Sequence, residues 1–291
     1  MTLLIVLFTL ALVQIWGSGE PLHRDGWFDK WCARIAQIPT LQANGGLLLG
    51  ASILPPVLLV ALLMAVVESS AGGLGVLLLG VPLLLYCLGR GNFNDTLSTY
   101  LRSWYRGDLK GATEAAAPLL QDIHETPADG KCLHEQVFRG AAYSAFERLF
   151  AVLFWFILLG IPGALLFRLS ALFAERARET QWEATTTHWL WLLEWLPVRI
   201  MGLSFAIVGN FAGCYRAWRQ CLMCRERDTA QVLEAYLEGA LGGIDASECS
   251  ATADLSQVQR QSGAEIEGLQ SLLSRTLLLW ITVLALAVLF A

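Results

Sequence analysis

Six uncharged stretches, residues 1–19, 45–67, 69–89, 149–167, 200–214 and 276–291, constrain what this chain can fold into more than anything else in it. A bilayer core takes about 20 helical residues at 1.5 Å of rise each, so four of the six are long enough to cross one and the fifth and last are marginal. Unpaired backbone amides cannot face lipid, and no alternation of period two suggests a barrel. Each span is therefore expected to be helical, with Pro55, Pro56, Pro82 and Pro162 tolerated as kinks. The fold class that follows is all-α: a polytopic membrane helical bundle of about six spans, read as one integral membrane domain over 1–291. With 55% hydrophobic and 15% charged residues, the charges gathered in blocks, the composition fits a membrane protein. The first stretch has no basic leader and no small-x-small cleavage site before Trp16, so it is expected to stay in place as a helix.

Orientation follows from the basic residues. Arg24, Lys30 and Arg34 follow the first stretch; Arg90, Arg102, Arg106, Lys110, Lys131 and Arg139 follow the third; Arg216, Arg219, Arg225, Arg227, Arg260 and Arg275 follow the fifth. Against these fifteen, the opposite side has only Arg168, Arg176 and Arg178, after the fourth. The positive-inside rule makes the richer side cytoplasmic and both termini periplasmic. Most of the seven cysteines fall on or beside that cytoplasmic side, where thiols stay reduced.

Two polar segments, 90–146 and 215–275, are expected to be cytoplasmic and helical. In the first, Leu97, Leu101 and Trp104 recur at helical spacing up to Gly107, and Asp108 can cap a second helix bearing Leu109, Ala112, Ala116 and Leu119. Residues 126–130 have turn chemistry, and 134–148 is expected to run as a helix into the fourth span. In the second segment, Val232, Leu233, Tyr236, Leu237 and Leu241 mark an amphipathic helix ended by Gly242-Gly243, followed by a flexible loop over 245–254. Trp182, Trp189, Trp191 and Trp195 read as an aromatic belt on the outer face. The stretch 188–214, broken by Pro197, is either one kinked span or an interfacial helix leading into a span.

Ionisable groups at membrane depth are the candidate site residues. Glu194 and Arg199 flank Pro197, whose missing N–H frees a carbonyl; Arg199 then either binds an anionic group, or snorkels or pairs with Glu194 as a strut that locks the fold. Glu147 and Arg148 sit at the mouth of the fourth span, either as ligand groups or as an ordinary helix start. The basic and aromatic run 214–227 reads as an anchor to anionic lipid rather than a nucleic-acid site. Cys221-x-x-Cys224 is half a metal site, and His124-Glu125 and His134-Glu135 read as solvated; no metal or cofactor is expected. No phosphate-cradling or hydrolytic motif occurs, so no catalytic residue is assigned.

Two motifs resemble a known family. Leu190-Trp-Leu-Leu-Glu-Trp-Leu-Pro-Val-Arg-Ile200, followed by Gly202-Leu-Ser-Phe-Ala-Ile-Val-Gly-Asn210, is similar to the DW-x-PVRL-x-G signature of the AmpE family. Phe154-Trp-Phe-Ile-Leu-Leu-Gly-Ile-Pro-Gly-Ala-Leu-Leu-Phe-Arg168 resembles that family's fourth-span motif. The resemblance implies an inner-membrane protein linked to induction of chromosomal β-lactamase, and so to antibiotic resistance, with a distant kinship to the CobD/CbiB amide synthases of the cobalamin pathway. Gly107-Asp-Leu109, Pro162-Gly-Ala-Leu165 with Arg168, and Pro197-Val-Arg199 sit where those synthases carry GDL, PGAL…R and PAR. Their acidic and amide-bearing positions are instead His124-Glu-Thr126, Tyr143-Ser-Ala-Phe-Glu-Arg148 and residues 169–174.

The expected ligand-binding set is thus Arg199, Glu194, Pro197, Glu147, Arg148 and Arg168. The function expected from it is a non-enzymatic inner-membrane sensor or transducer that binds an anionic amphiphile in the bundle. The alternative is a CobD/CbiB-like synthase or other group transferase built on Glu147, Asp108 and Glu125. Expected partners are membrane lipids, an anionic amphiphile or an envelope protein, and no nucleic acid.

Overall fold

The computed structural model describes residues 1–16, 25–42, 44–88, 93–120, 130–178, 180–222, 227–242 and 255–290. Its helices are α1 (Thr2–Trp16), α2 (Gly26–Ile35), α3 (Pro39–Gln42), α4 (Gly45–Cys87), α5 (Phe93–Tyr105), α6 (Leu109–Ala116) and α7 (Gly130–Ala145). A π-helical turn, Phe146–Phe150, joins α7 to α8 (Ala151–Leu159). Then come α9 (Ile161–Ala177), α10 (Glu183–Val208), α11 (Phe211–Cys221), α12 (Thr229–Leu241) and α13 (Leu255–Phe290). The described residues contain no strand, so the all-α class holds. Four helical runs among them are long and apolar enough to cross a membrane: Gly45–Cys87, Gly130–Leu159, Glu183–Val208 and Gly263–Phe290; α1 is apolar but shorter. The loop expected over 245–254 and the turn residues 126–129 lie outside the described residues.

The chain forms two compact units, Met1–Gly91 with Glu147–Pro197 (unit 1) and Asn92–Phe146 with Val198–Ala291 (unit 2). In unit 1 the stretches expected at 45–67 and 69–89 correspond to two helical limbs of α4 that meet at a kink at Gly72, where φ is 61°. Only glycine adopts that backbone freely. The bend brings Gly75 against Val67 and Ala71, eight and four residues earlier, although eight residues of straight helix would span about 12 Å. The same construction recurs at Gly160 (φ 71°), where Gly163 abuts the Trp155 carbonyl and Leu159. The stretch 149–167, expected as one span, is therefore broken in the middle, and α8 and α9 pack on each other as the limbs of a hairpin. Helix α1 lies along the second limb of α4, with Met1 at Gly73 and Ile5 at Gly80.

Unit 1 also brings together segments that the charge count places on opposite faces. Arg176 Nη1 lies 2.6 Å from Asp29 Oδ1, Arg168 Nη2 lies 3.5 Å from Asp25 Oδ2, and the Trp182 ring packs on Gly45. Arg168, Arg176 and Trp182 thus lie beside Asp25, Asp29 and Gly45 within unit 1. The hairpin at Gly160 is the physical reason, because it returns the chain instead of passing it on.

Unit 2 combines α5, α6, α7, α11 and α12 with the end of α10 and the apolar α13. Helices α5 and α6 form the expected pair: Gly107 turns at φ 73° and the Asp108 carboxylate accepts from the Gly111 N–H at 3.0 Å. Asn210 and Asp228 cap α11 and α12, and α12 ends at left-handed Gly242 as its sequence predicts. Gly213 and Gly239 meet backbone to backbone where α11 crosses α12. Arg139 on α7 donates from Nε and Nη2 to Glu234 on α12 at 2.9 and 3.1 Å. Burial pushes the Glu234 carboxyl above its ordinary range, against the pull of that guanidinium. His134 on α7 lies 3.0 Å from Glu265 on α13 and 3.3 Å from the Tyr100 hydroxyl on α5.

These bends make a test. Gly160→Ala should cost about 1–2 kcal/mol from its left-handed φ alone, and Gly163→Ala at least as much, since its Cβ would strike the Trp155 carbonyl. Gly50→Ala, with 3.9 Å to its nearest neighbour and helical φ, should be neutral or stabilising. Thermal unfolding of the three variants in one detergent checks the order.

Candidate functional site

Proline at position i of a helix removes the N–H that would satisfy the carbonyl of residue i−4. On α10 the residue so affected is Leu193, four before Pro197, and its carbonyl accepts from the Trp155 indole N–H at 3.2 Å. The carbonyl that Pro197 frees thus has a donor from α8, the Trp155 indole. The device occurs twice. Pro56 on α4 frees the Ser52 carbonyl, and the Trp31 indole N–H on α2 donates to it at 3.0 Å. A carbonyl orphaned in an apolar interior costs about 1–3 kcal/mol, which a single indole removes.

Arg199, 5% exposed, lies on the unit 2 limb of α10. Its Nη2 donates to the Cys221 carbonyl at 3.2 Å, at the C-terminal end of α11. Helix C-termini present carbonyls without intrahelical donors and a partial negative charge, so a guanidinium is the fitting partner. The Trp218 indole N–H, from the same α11, donates to the Arg199 carbonyl at 2.9 Å. Gly202, one turn on, leaves room for the rings of Tyr236 and Trp218, and its carbonyl accepts from the Cys214 thiol at 3.3 Å. Arg199 is a strut between α10 and α11 in this arrangement.

Arg168, the other buried arginine of the expected set, faces Asp25. Asp25 also accepts from the Tyr86 hydroxyl at 3.1 Å, and that hydroxyl accepts from the Trp27 indole at 3.0 Å. The buried Arg168 Nε has no hydrogen-bond partner among the described residues. Glu147 and Arg148 occupy the π-helical turn between α7 and α8, within a continuous helical run and not at its start. Such wide turns often mark functional positions. Glu194 is 3% exposed on α10, and it lies with Pro197, Glu147, Arg148 and Arg168 in unit 1, while Arg199 lies in unit 2.

Two clusters escape the sequence. The partners of Arg168 come from residues 61 and more positions apart, with no local pattern to link them. The His134–Glu265 pair joins positions 131 apart; only the histidine's apolar neighbours Leu133 and Val137 hint that it is buried. The cysteines Cys32, Cys87, Cys132, Cys214 and Cys221 are free thiols, and burial pushes Cys32 up, with Arg176 pulling the other way.

The Trp155 contact generates a double-mutant cycle. Trp155→Phe should destabilise by about 1–3 kcal/mol because the Leu193 carbonyl loses its donor, whereas Pro197→Ala restores the backbone donor. In the Pro197→Ala background the cost of Trp155→Phe should fall to less than half. Additive losses in unfolding midpoints would contradict the assignment.

The family model described as "Regulatory signalling modulator protein AmpE" matches residues 1–242. Among curated proteins, the chain is 28% identical over 174 residues to the cobalamin biosynthesis protein CobD of Stutzerimonas stutzeri (strain A1501), an overlap covering 56% of this chain and 55% of that one. It is 27% identical over 175 residues to the cobalamin biosynthesis protein CobD of Chromobacterium violaceum, covering 56% and 53%. The chain spans about half the length of these curated relatives. No solved structure matches it.

Proposed function

The chain belongs to the AmpE family of regulatory signalling modulators, and from that premise we propose that it is a non-enzymatic transducer of the inner membrane that modulates β-lactamase induction in response to cell-wall state. The observation that carries the reading is how unit 2 is tied together. It holds part of three helices long enough to span a membrane, and a polar contact fastens each to the module: Arg139 to Glu234, Arg199 to the Cys221 carbonyl, and His134 to Glu265. The Trp280 indole on α13 further donates to Ser204 Oγ on α10 at 2.9 Å. A shift of one of these helices alters the contacts of the others, which is what a transducer needs. In this reading both termini are periplasmic, the polar segments 90–146 and 215–275 are cytoplasmic, and the signal enters as an anionic amphiphile or an envelope protein acting on the bundle.

The 27–28% identity to CobD proteins supports a second reading, a CobD/CbiB-like amide synthase or related group transferase. Of the carboxylates it would draw on, Asp108 is engaged as the cap of α6, and Glu125 lies outside the described residues. Rescue of a corrinoid-synthase mutant by the well-expressed chain would establish this reading in place of the first.

The transducer is tested in a bacterium lacking its own copy of the protein. Wild-type chain should change β-lactamase output after exposure to a sub-inhibitory β-lactam. Arg199→Leu, which strips the Cys221 carbonyl of its donor at a cost of about 1–3 kcal/mol, should abolish that change at equal membrane levels, and Arg199→Lys should restore part of it. Identical induction with and without the wild-type chain would sink the proposal.

A further inference from the structure

Helix α11 follows α10 after a break at Gly209-Asn210 and turns back beside it, with Cys214 reaching Gly202 and with Trp218 and Cys221 reaching Arg199; Ile200, Leu203 and Ile207 on α10 are apolar and exposed. Phe211, Tyr215 and Trp218 form an aromatic row on α11. They stand at i, i+4 and i+7, with ring centroids 5.5 and 5.8 Å apart and planes within 7° and 20° of parallel. Phe211 and Tyr215 are 57% and 41% exposed. At about 100° per residue, Arg219 and Arg216 fall along one flank of this row, both exposed, while Cys214 and Cys221 face inward on the other. No acidic residue occurs on α11.

Exposed aromatic rings are costly in water, and two cations with no ion pair among the described residues beside them fit neither a protein core nor bulk lipid. They fit the plane where acyl chains meet charged headgroups, with the rings at the boundary and the guanidiniums reaching up to phosphates. We infer that this face of α11 is a docking surface for anionic phospholipid. The helix is coupled to α10 at both ends of one contact pair, since Trp218 donates to the Arg199 carbonyl and Arg199 donates to the Cys221 carbonyl. Lipid held on the outer face of α11 therefore fixes the position of Arg199. The inference rests on the membrane assignment of α10 and not on the signalling role, so an intact lipid response with no effect on β-lactamase would refute only the latter.

The test is amide hydrogen exchange over residues 211–221 of the full chain in nanodiscs of phosphatidylcholine alone and of phosphatidylcholine mixed with phosphatidylglycerol. Exchange should slow in the anionic discs by on the order of tenfold to thirtyfold, the factor two basic residues near such a surface supply. Arg216→Gln with Arg219→Gln should remove the difference, while exchange in α12 stays unchanged and shows that the fold is intact. Phe211→Ser with Tyr215→Ser should speed exchange in both discs. Equal exchange in the two lipids would overturn the proposal, as would an undiminished difference in the double arginine variant. Equal slowing by inorganic phosphate in phosphatidylcholine discs would show a phosphate site rather than a surface, and would overturn it too.

Discussion

The interaction on which the rest of this structure depends is an indole N–H donating to an acceptor on a neighbouring helix. In an apolar interior there is no water to satisfy a carbonyl that a proline has orphaned, so something in the protein must. Trp31 answers Pro56 through the Ser52 carbonyl and Trp155 answers Pro197 through the Leu193 carbonyl. Trp189 and Trp280 donate to the hydroxyls of Ser170 and Ser204, and Trp218 to the Arg199 carbonyl. Tryptophan suits the task because it brings a large apolar surface and a single donor in one rigid ring. Each latch fixes a helix pair at a defined register, which dispersion between leucines does not.

That role was not legible in the residues themselves. A cluster of tryptophans beside an apolar stretch has the composition of an interfacial belt, and the reading of Trp182 and Trp189 as one follows from that. The structure gives Trp189 a hydroxyl partner on α9 and packs Trp182 on Gly45. What distinguishes a latch from a belt is the acceptor, 19 residues away for Trp189 and 38 for Trp155. By contrast, local chemistry was readable. The caps at Asp108 and Gly242, the paired helices α5 and α6, and the all-α class each rest on contacts within a few residues.

The hairpin at Gly160 shows the same division between local and distant information. Glycine before Ile161-Pro162 is visible as a possible break, yet hydropathy runs unbroken from residue 149 to 167 and favours a span. Only the return of α9 onto α8, with Arg176 reaching Asp29, shows that the chain turns back there. The consequence for the site is direct. Arg168 becomes a partner of Asp25 near the start of α2, and Arg199 becomes the strut at the end of α11. Neither the Cys221 carbonyl as a partner of Arg199 nor Asp25 as a partner of Arg168 was visible in the sequence.

If indoles hold this fold by satisfying proline-freed carbonyls, their N–H protons must be slow to leave. Indole hydrogen exchange of Trp31 and Trp155, read by nitrogen-15 labelled tryptophan resonances in nanodiscs, measures this without relying on function. Slow exchange is expected at both, accelerated at Trp31 alone by Pro56→Ala and at Trp155 alone by Pro197→Ala, because each substitution returns a competing backbone donor. Fast exchange in the unaltered protein, or no response to either substitution, would contradict it.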